Sequence, residues 1–133
     1  MSRDEPENPH LPSLDIITVN WNSGDQLRRC LASIPAHPAG YTIDRVVVYT
    51  LGDSYGAPVE PGDSQTFSLF GILDFTVQVW NGSTWSTVAT ITGNNLVKRT
   101  ITFAAVSTDR VRVTVTNALF GYSRIVELEA WTP

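Results

Sequence analysis

From residue 41 onward, apolar and polar residues alternate in short runs. Phe75, Val77 and Val79 fall on one side of an extended chain and Thr76 and Gln78 on the other; Val111, Val113 and Val115 alternate in the same way with Arg112 and Thr114. A period of two marks a strand with one face packed and the other wet. Residues 43–50, 75–80, 84–91, 99–103, 110–116 and 124–131, rich in Val, Ile, Thr and aromatics, are read as strands. Short strands separated by turns predict a mainly β chain folded as an antiparallel sandwich or a barrel. Asn81-Gly82-Ser83 lies between two such runs and predicts a hairpin turn, because Asn and Gly tolerate positive φ. The longest irregular stretch, residues 51–71, holds four glycines and two prolines. Long loops on a β scaffold are where binding concentrates.

The pattern upstream is different. Residues 14–19 are a short apolar, β-prone run, and Ser23 followed three residues later by Gln26 is a capping-box signature for a helix start. Leu27, Leu31 and Ile34 recur at helical spacing before Pro35 stops the helix. Residues 1–13, polar and interrupted by three prolines, read as a flexible leader. The expected organisation is therefore a leader (1–13) and one β-sandwich domain (14–133), in which a strand and short helix (14–35) join the β strands of residues 41–133.

Composition narrows the chemistry. The net charge is −4 and the nine Lys and Arg are scattered, which argues against nucleic acid. No apolar run is long enough to span a bilayer, and residues 1–12 lack the basic start and apolar middle of a secretory signal. Cys30 is alone, so it supplies neither an internal disulfide nor a zinc site, and beside Leu27 and Leu31 it reads as a small buried thiol. His10 and His37 are isolated, and no Ser-His-Asp arrangement is visible. Glu127 and Glu129 share a strand face, but neighbouring strand residues do not flank a cleft as glycoside hydrolysis requires. The chain is not expected to be an enzyme.

Three stretches carry a resemblance: Tyr41-Thr-Ile-Asp-Arg-Val-Val-Val-Tyr49, the hairpin of residues 75–88 centred on Trp-Asn-Gly-Ser-Thr-Trp, and the close from Asp109-Arg-Val-Arg-Val to Tyr122-Ser-Arg-Ile-Val-Glu-Leu-Glu-Ala-Trp131. In that order they resemble the later part of the discoidin, or coagulation-factor type C, family, whose bacterial members include family 32 carbohydrate-binding modules. The resemblance covers residues 41–131 and implies a jelly-roll sandwich, an extracellular setting and a loop end that holds a sugar. The family's first half, with its calcium loop, has no counterpart here, so the sandwich is expected to be truncated. In its place, residues 14–34 resemble the first strand and helix of a family 2 glycosyltransferase, though no Asp-x-Asp motif occurs in the chain. This piece is expected to complete the sandwich by adding a strand and laying Leu27, Leu31 and Ile34 on exposed core. Natural recombination and a chimera of joined gene segments both account for the seam.

The candidate ligand-binding residues are Asp53, Tyr55, Asn117, Phe120, Tyr122 and Arg124, from the loops around 53–55 and 117–122 and the strand that follows. Sugar sites combine an aromatic platform for the C–H face with polar groups that orient hydroxyls. Tyr55, Phe120 and Tyr122 offer the platform, Asn117 and Arg124 the hydrogen bonds. Trp80 and Trp85 could stack on a sugar, but cross-strand packing that pins the register is their ordinary role. The resemblance also implies Glu129 as a ligand to a structural calcium, an ion that needs six to eight oxygens; no other cofactor is expected. The leading expectation is a non-catalytic carbohydrate-binding module. The alternatives are a chimera without a ligand, which folds and self-associates through open sheet edges into a homo-oligomer, and, least favoured, a glycosyltransferase fragment.

Overall fold

A computed structural model describes residues 40–57 and 59–133. Six strands run β1 (Tyr41–Thr50), β2 (Ile72–Trp80), β3 (Trp85–Ile91), β4 (Lys98–Thr108), β5 (Val111–Ala118) and β6 (Ile125–Trp131), with a single 3-10 turn at Leu119–Gly121 before β6. They form two antiparallel three-stranded sheets, ordered β4-β1-β6 and β3-β2-β5, so β1 and β2 are the central strands. The chain is a mainly β sandwich, as the alternation predicts. The expected leader, added strand and helix, and with them Cys30, His10 and His37, lie outside the described residues.

The core is where the two central strands face each other. Ile43, Val46 and Val48 of β1 meet Ile72, Phe75, Val77 and Val79 of β2, joined by Ile101 and Val111. The edge strands close it less completely: Val113 and Val115, Ile125 and Leu128, and Phe103 and Val106 pack against it while half-buried. Seven of the nine buried residues of this cluster lie on the two central strands, and each gains about 25 cal/mol per Å2 of apolar surface removed from water.

β1 is buried on both faces. On its outer side, register sets Val47 between Thr100 and Glu129, and Tyr49 between Lys98 and Glu127. Tyr49 donates its hydroxyl to Glu129 Oε1 (3.2 Å) and Trp131 donates its indole N–H to Glu129 Oε2 (2.9 Å). Arg45 covers Trp131 at 4.9 Å. Among the described residues, these contacts lie over the outer face of β1 beside Val47.

Strand ends differ from the alternation-based reading by up to five residues. β4 runs five residues past 103, because Val106, Ser107 and Thr108 pair with Ile43, Thr42 and Tyr41; the pairing comes from the partner strand and not from local β propensity. At the hairpin, Gly82 has positive φ (100°) as expected. Asn81 contributes through its side chain instead: its Oδ1 accepts from the Ser83 N–H (3.0 Å) and Thr84 N–H (2.9 Å).

Candidate functional site

The end of the sandwich where β1 stops, β2 starts and β6 starts is held by one buried hydroxyl. Thr50 Oγ1 donates to the Arg124 carbonyl (3.0 Å) and accepts from the Ile72 N–H (3.1 Å), and the Leu51 N–H donates to the same carbonyl (3.1 Å). Both sheets and the approach to β6 therefore meet at Thr50.

The loop of residues 51–71 is tied to this junction in two ways. An isolated bridge pairs Thr66 with Leu96, flanked by Phe67 N–H to Asn95 O (3.0 Å) and Val97 N–H to Gln65 O (2.9 Å). Asp53 closes the other side: its carboxylate accepts from the Ser68 hydroxyl (2.8 Å), the Ser68 N–H (2.9 Å) and the Leu69 N–H (2.9 Å). The Ser68 hydroxyl, followed by the two backbone N–H groups, holds the Asp53 carboxyl below the usual carboxylate range. Gly71 is required where it stands, since a Cβ there would lie 2.3 Å from the Phe67 ring.

This frame presents a cluster of rings. Tyr55 meets Phe70 edge-on with centroids 5.3 Å apart, and Phe70 lies 6.5 Å from Phe120. The Arg124 guanidinium sits 4.8 Å from the Phe70 ring centre and 4.7 Å from that of Tyr122. Phe120 is 73% exposed, and Tyr55 and Tyr122 are each 60% exposed. Phe120 adopts the left-handed conformation (φ 56°), which costs a bulky residue on the order of 1 to 3 kcal/mol and is characteristic of functional loops. The Leu119 N–H to Gly71 carbonyl bond (3.1 Å) ties that turn to the residue next to Phe70.

Tyr55 also borders a cleft of about 530 Å3 between the 51–65 loop and the outer ends of β1 and β6, lined by Tyr49, Val59, Glu60, Val97 and Glu127 among others. Burial of the ring, then the Glu129 carboxylate, pushes the Tyr49 hydroxyl up to about 12. Tyr49 is thus a neutral hydrogen-bond donor at any ordinary pH.

Of the six ligand candidates, Tyr55, Phe120, Tyr122 and Arg124 come together on this rim. Asp53 supports it from within, its oxygens already taken by Ser68 and Leu69. Asn117 lies elsewhere in the network, donating from Nδ2 to Asp74 Oδ2 (3.0 Å), while Asp74 Oδ1 accepts from the Gly93 N–H (2.8 Å). The Gly93 N–H and then Asn117 lower the Asp74 carboxyl. Phe70 escaped sequence reasoning, although Phe67, Leu69 and Phe70 form an apolar run inside an otherwise polar loop, and such a run signals a packed loop. Thr50 carried no sequence signal.

Glu129 shares a face with Glu127 as expected, but its two oxygens accept from Tyr49 and Trp131. Among the described residues no three His, Cys, Asp or Glu side chains gather where a metal could sit. The described residues around Glu129 do not fit calcium. Trp80 and Trp85 are partners in register, with centroids 5.5 Å apart, so they pin the hairpin.

In comparisons with known proteins, the chain matches no family model, no curated protein and no solved structure.

Proposed function

We propose that this chain is a non-catalytic carbohydrate-binding module, a sandwich of jelly-roll type whose sugar site is the rim formed by Tyr55, Phe70, Phe120, Tyr122 and Arg124. One observation carries the reading: the 51–71 loop and the stretch before β6 bring exposed rings and a guanidinium to a single place beside a cleft. Exposed rings suit the C–H face of a pyranose, and the polar groups fix its hydroxyls. The strained Phe120 turn supports the same reading, because the Leu119 N–H to Gly71 carbonyl bond helps hold an unfavourable backbone that turns an apolar ring toward water.

Calorimetric titration with a panel of galactose-type sugars, neutral and acidic, tests it. Calorimetry is preferred to tryptophan fluorescence because the rim contains Tyr and Phe only. Saturable binding at millimolar concentration or tighter is expected for at least one sugar. The Phe120→Ala, Tyr122→Ala double variant should lose it while keeping its far-UV circular dichroism. No response to any sugar from a folded protein overturns the reading.

A further inference from the structure

Arg124 differs from Arg110 and Arg112, which also touch rings, and shares with Arg45, which covers Trp131, the lack of an ion pair among the described residues. Arg110 pairs with Asp109 (3.4 Å) and Arg112 donates from Nε to Gln78 Oε1 (2.6 Å). Among the described residues the ion pairs join Lys98 to Asp63 and Arg110 to Asp109; Arg124 enters neither. Its Nη1 is buried without a hydrogen-bond partner. Arg45 and Arg99 also carry a buried unpartnered nitrogen, but theirs is Nε, on the stem side of the group, where a long side chain lying on the protein surface is expected to lose water. In Arg124 it is the tip that has lost it.

Two rings flank that tip, Phe70 at 4.8 Å and Tyr122 at 4.7 Å. They attract the cation and restrict its rotation, so little side-chain entropy remains to be lost on binding. A guanidinium held this way, with one donor sealed off without a partner and no ion-paired carboxylate among the described residues, is prepared for a planar anion that accepts two parallel N–H bonds from its outer edge, Nε and Nη2. A neutral hydroxyl satisfies one donor and leaves the charge uncompensated. A carboxylate satisfies both needs.

We infer that the rim selects acidic sugars, with the ligand's carboxylate on the Arg124 guanidinium and its pyranose face against Phe120 and Tyr122. The inference rests on the carbohydrate-binding reading and adds the ligand class to it. The cleft next to Tyr55 bears the opposite charge, through Glu60 and Glu127. A uronic acid is therefore oriented as well as attracted, its carboxylate toward Arg124 and its remaining hydroxyls toward the acidic side.

Three sugars of matched ring stereochemistry test the inference by calorimetry: galactose, galacturonate and galactosamine. Galacturonate is expected to bind at least tenfold more tightly than galactose, the factor that one charge-assisted hydrogen bond supplies. Arg124→Gln should erase that ratio, so that the variant binds galacturonate no more tightly than it binds galactose, while its far-UV circular dichroism is unchanged. Arg124→Lys keeps the charge but not the planar fork, and should recover only part of it. Equal affinity for galactose and galacturonate overturns the inference while the carbohydrate-binding reading survives. Tightest binding of galactosamine moves the ligand onto Glu60 and Glu127 and also overturns it. Silence with all three sugars overturns both.

Discussion

The hairpin end and the loop end of this molecule both gather aromatic rings and arginines, and they differ in what those arginines meet. At the hairpin end, Trp80 and Trp85 face each other in register, Arg110 lies 5.4 Å from the Trp80 ring and Arg112 lies 4.3 Å from the Trp85 ring. Each arginine there also has a polar partner, Asp109 or Gln78. At the loop end, Tyr55 and Phe70 come from one loop and Phe120 and Tyr122 from another stretch, three of them largely exposed, and among the described residues Arg124 has rings but no ion-paired carboxylate. The same residue types are structural when neighbouring strands consume their interactions, and available for binding when the scaffold leaves them over.

The sharpest way to break this contrast is Gly71→Ala. The added Cβ would meet the Phe67 ring at 2.3 Å, an overpacking that should lower stability by about 3 kcal/mol in urea denaturation. Sugar binding should fall with it, because the ties that carry Phe70 run through this residue. Next comes Thr50→Val, which leaves the buried Ile72 N–H without its acceptor. A loss of about 2 kcal/mol is expected by the same measurement, together with weaker sugar affinity as Arg124 loosens.

The hairpin should behave in the opposite way. Trp85→Ala removes a cross-strand aromatic pair and should lower stability by about 1 kcal/mol while leaving sugar affinity unchanged. A change in affinity there would erase the distinction between the two ends.

Smaller effects come from titration. The folded-state pKa of Asp53 is lowered, so its contribution is complete above the unfolded value of about 4 and fades as pH falls through the lower folded value. Asp53→Asn should flatten this part of the acid limb of thermal stability and leave the hairpin unaffected. Tyr49 has the opposite sign: its folded pKa is raised from 10.0 to about 12, so its contribution is whole below pH 10 and is lost as pH rises through the folded value. Absorbance of tyrosinate on alkaline titration should show one late-ionising tyrosine, missing in Tyr49→Phe.

Parts of the fold could be read directly. The alternation at 75–79 and 111–115 assigns inner and outer faces correctly, since Phe75, Val77, Val79 and Val111 are all buried. The strand at 104–108 was missed because Ala-Ala-Val-Ser-Thr has weak β propensity and becomes a strand only opposite Tyr41, Thr42 and Ile43. In the site, Tyr55, Phe120, Tyr122 and Arg124 were legible as large or charged residues at loop positions. Asp53 and Asn117 looked equally available. Their hydrogen bonds go to Ser68, Leu69 and Asp74, 15 to 43 residues away in the chain, a distance over which no spacing rule operates.

By itself the sequence determined the alternating strands around 75–79 and 111–115, the face their side chains take and the turn at Gly82, because these depend on neighbours one to three residues apart. Tertiary structure alone decided that β1 lies between β4 and β6, that Phe70 meets Tyr55 and that Arg124 sits between the Phe70 and Tyr122 rings. The physical reason is that pairing and packing are settled by contacts such as Tyr49 with Glu129, 80 residues apart, where the choice depends on how all the strands share one core.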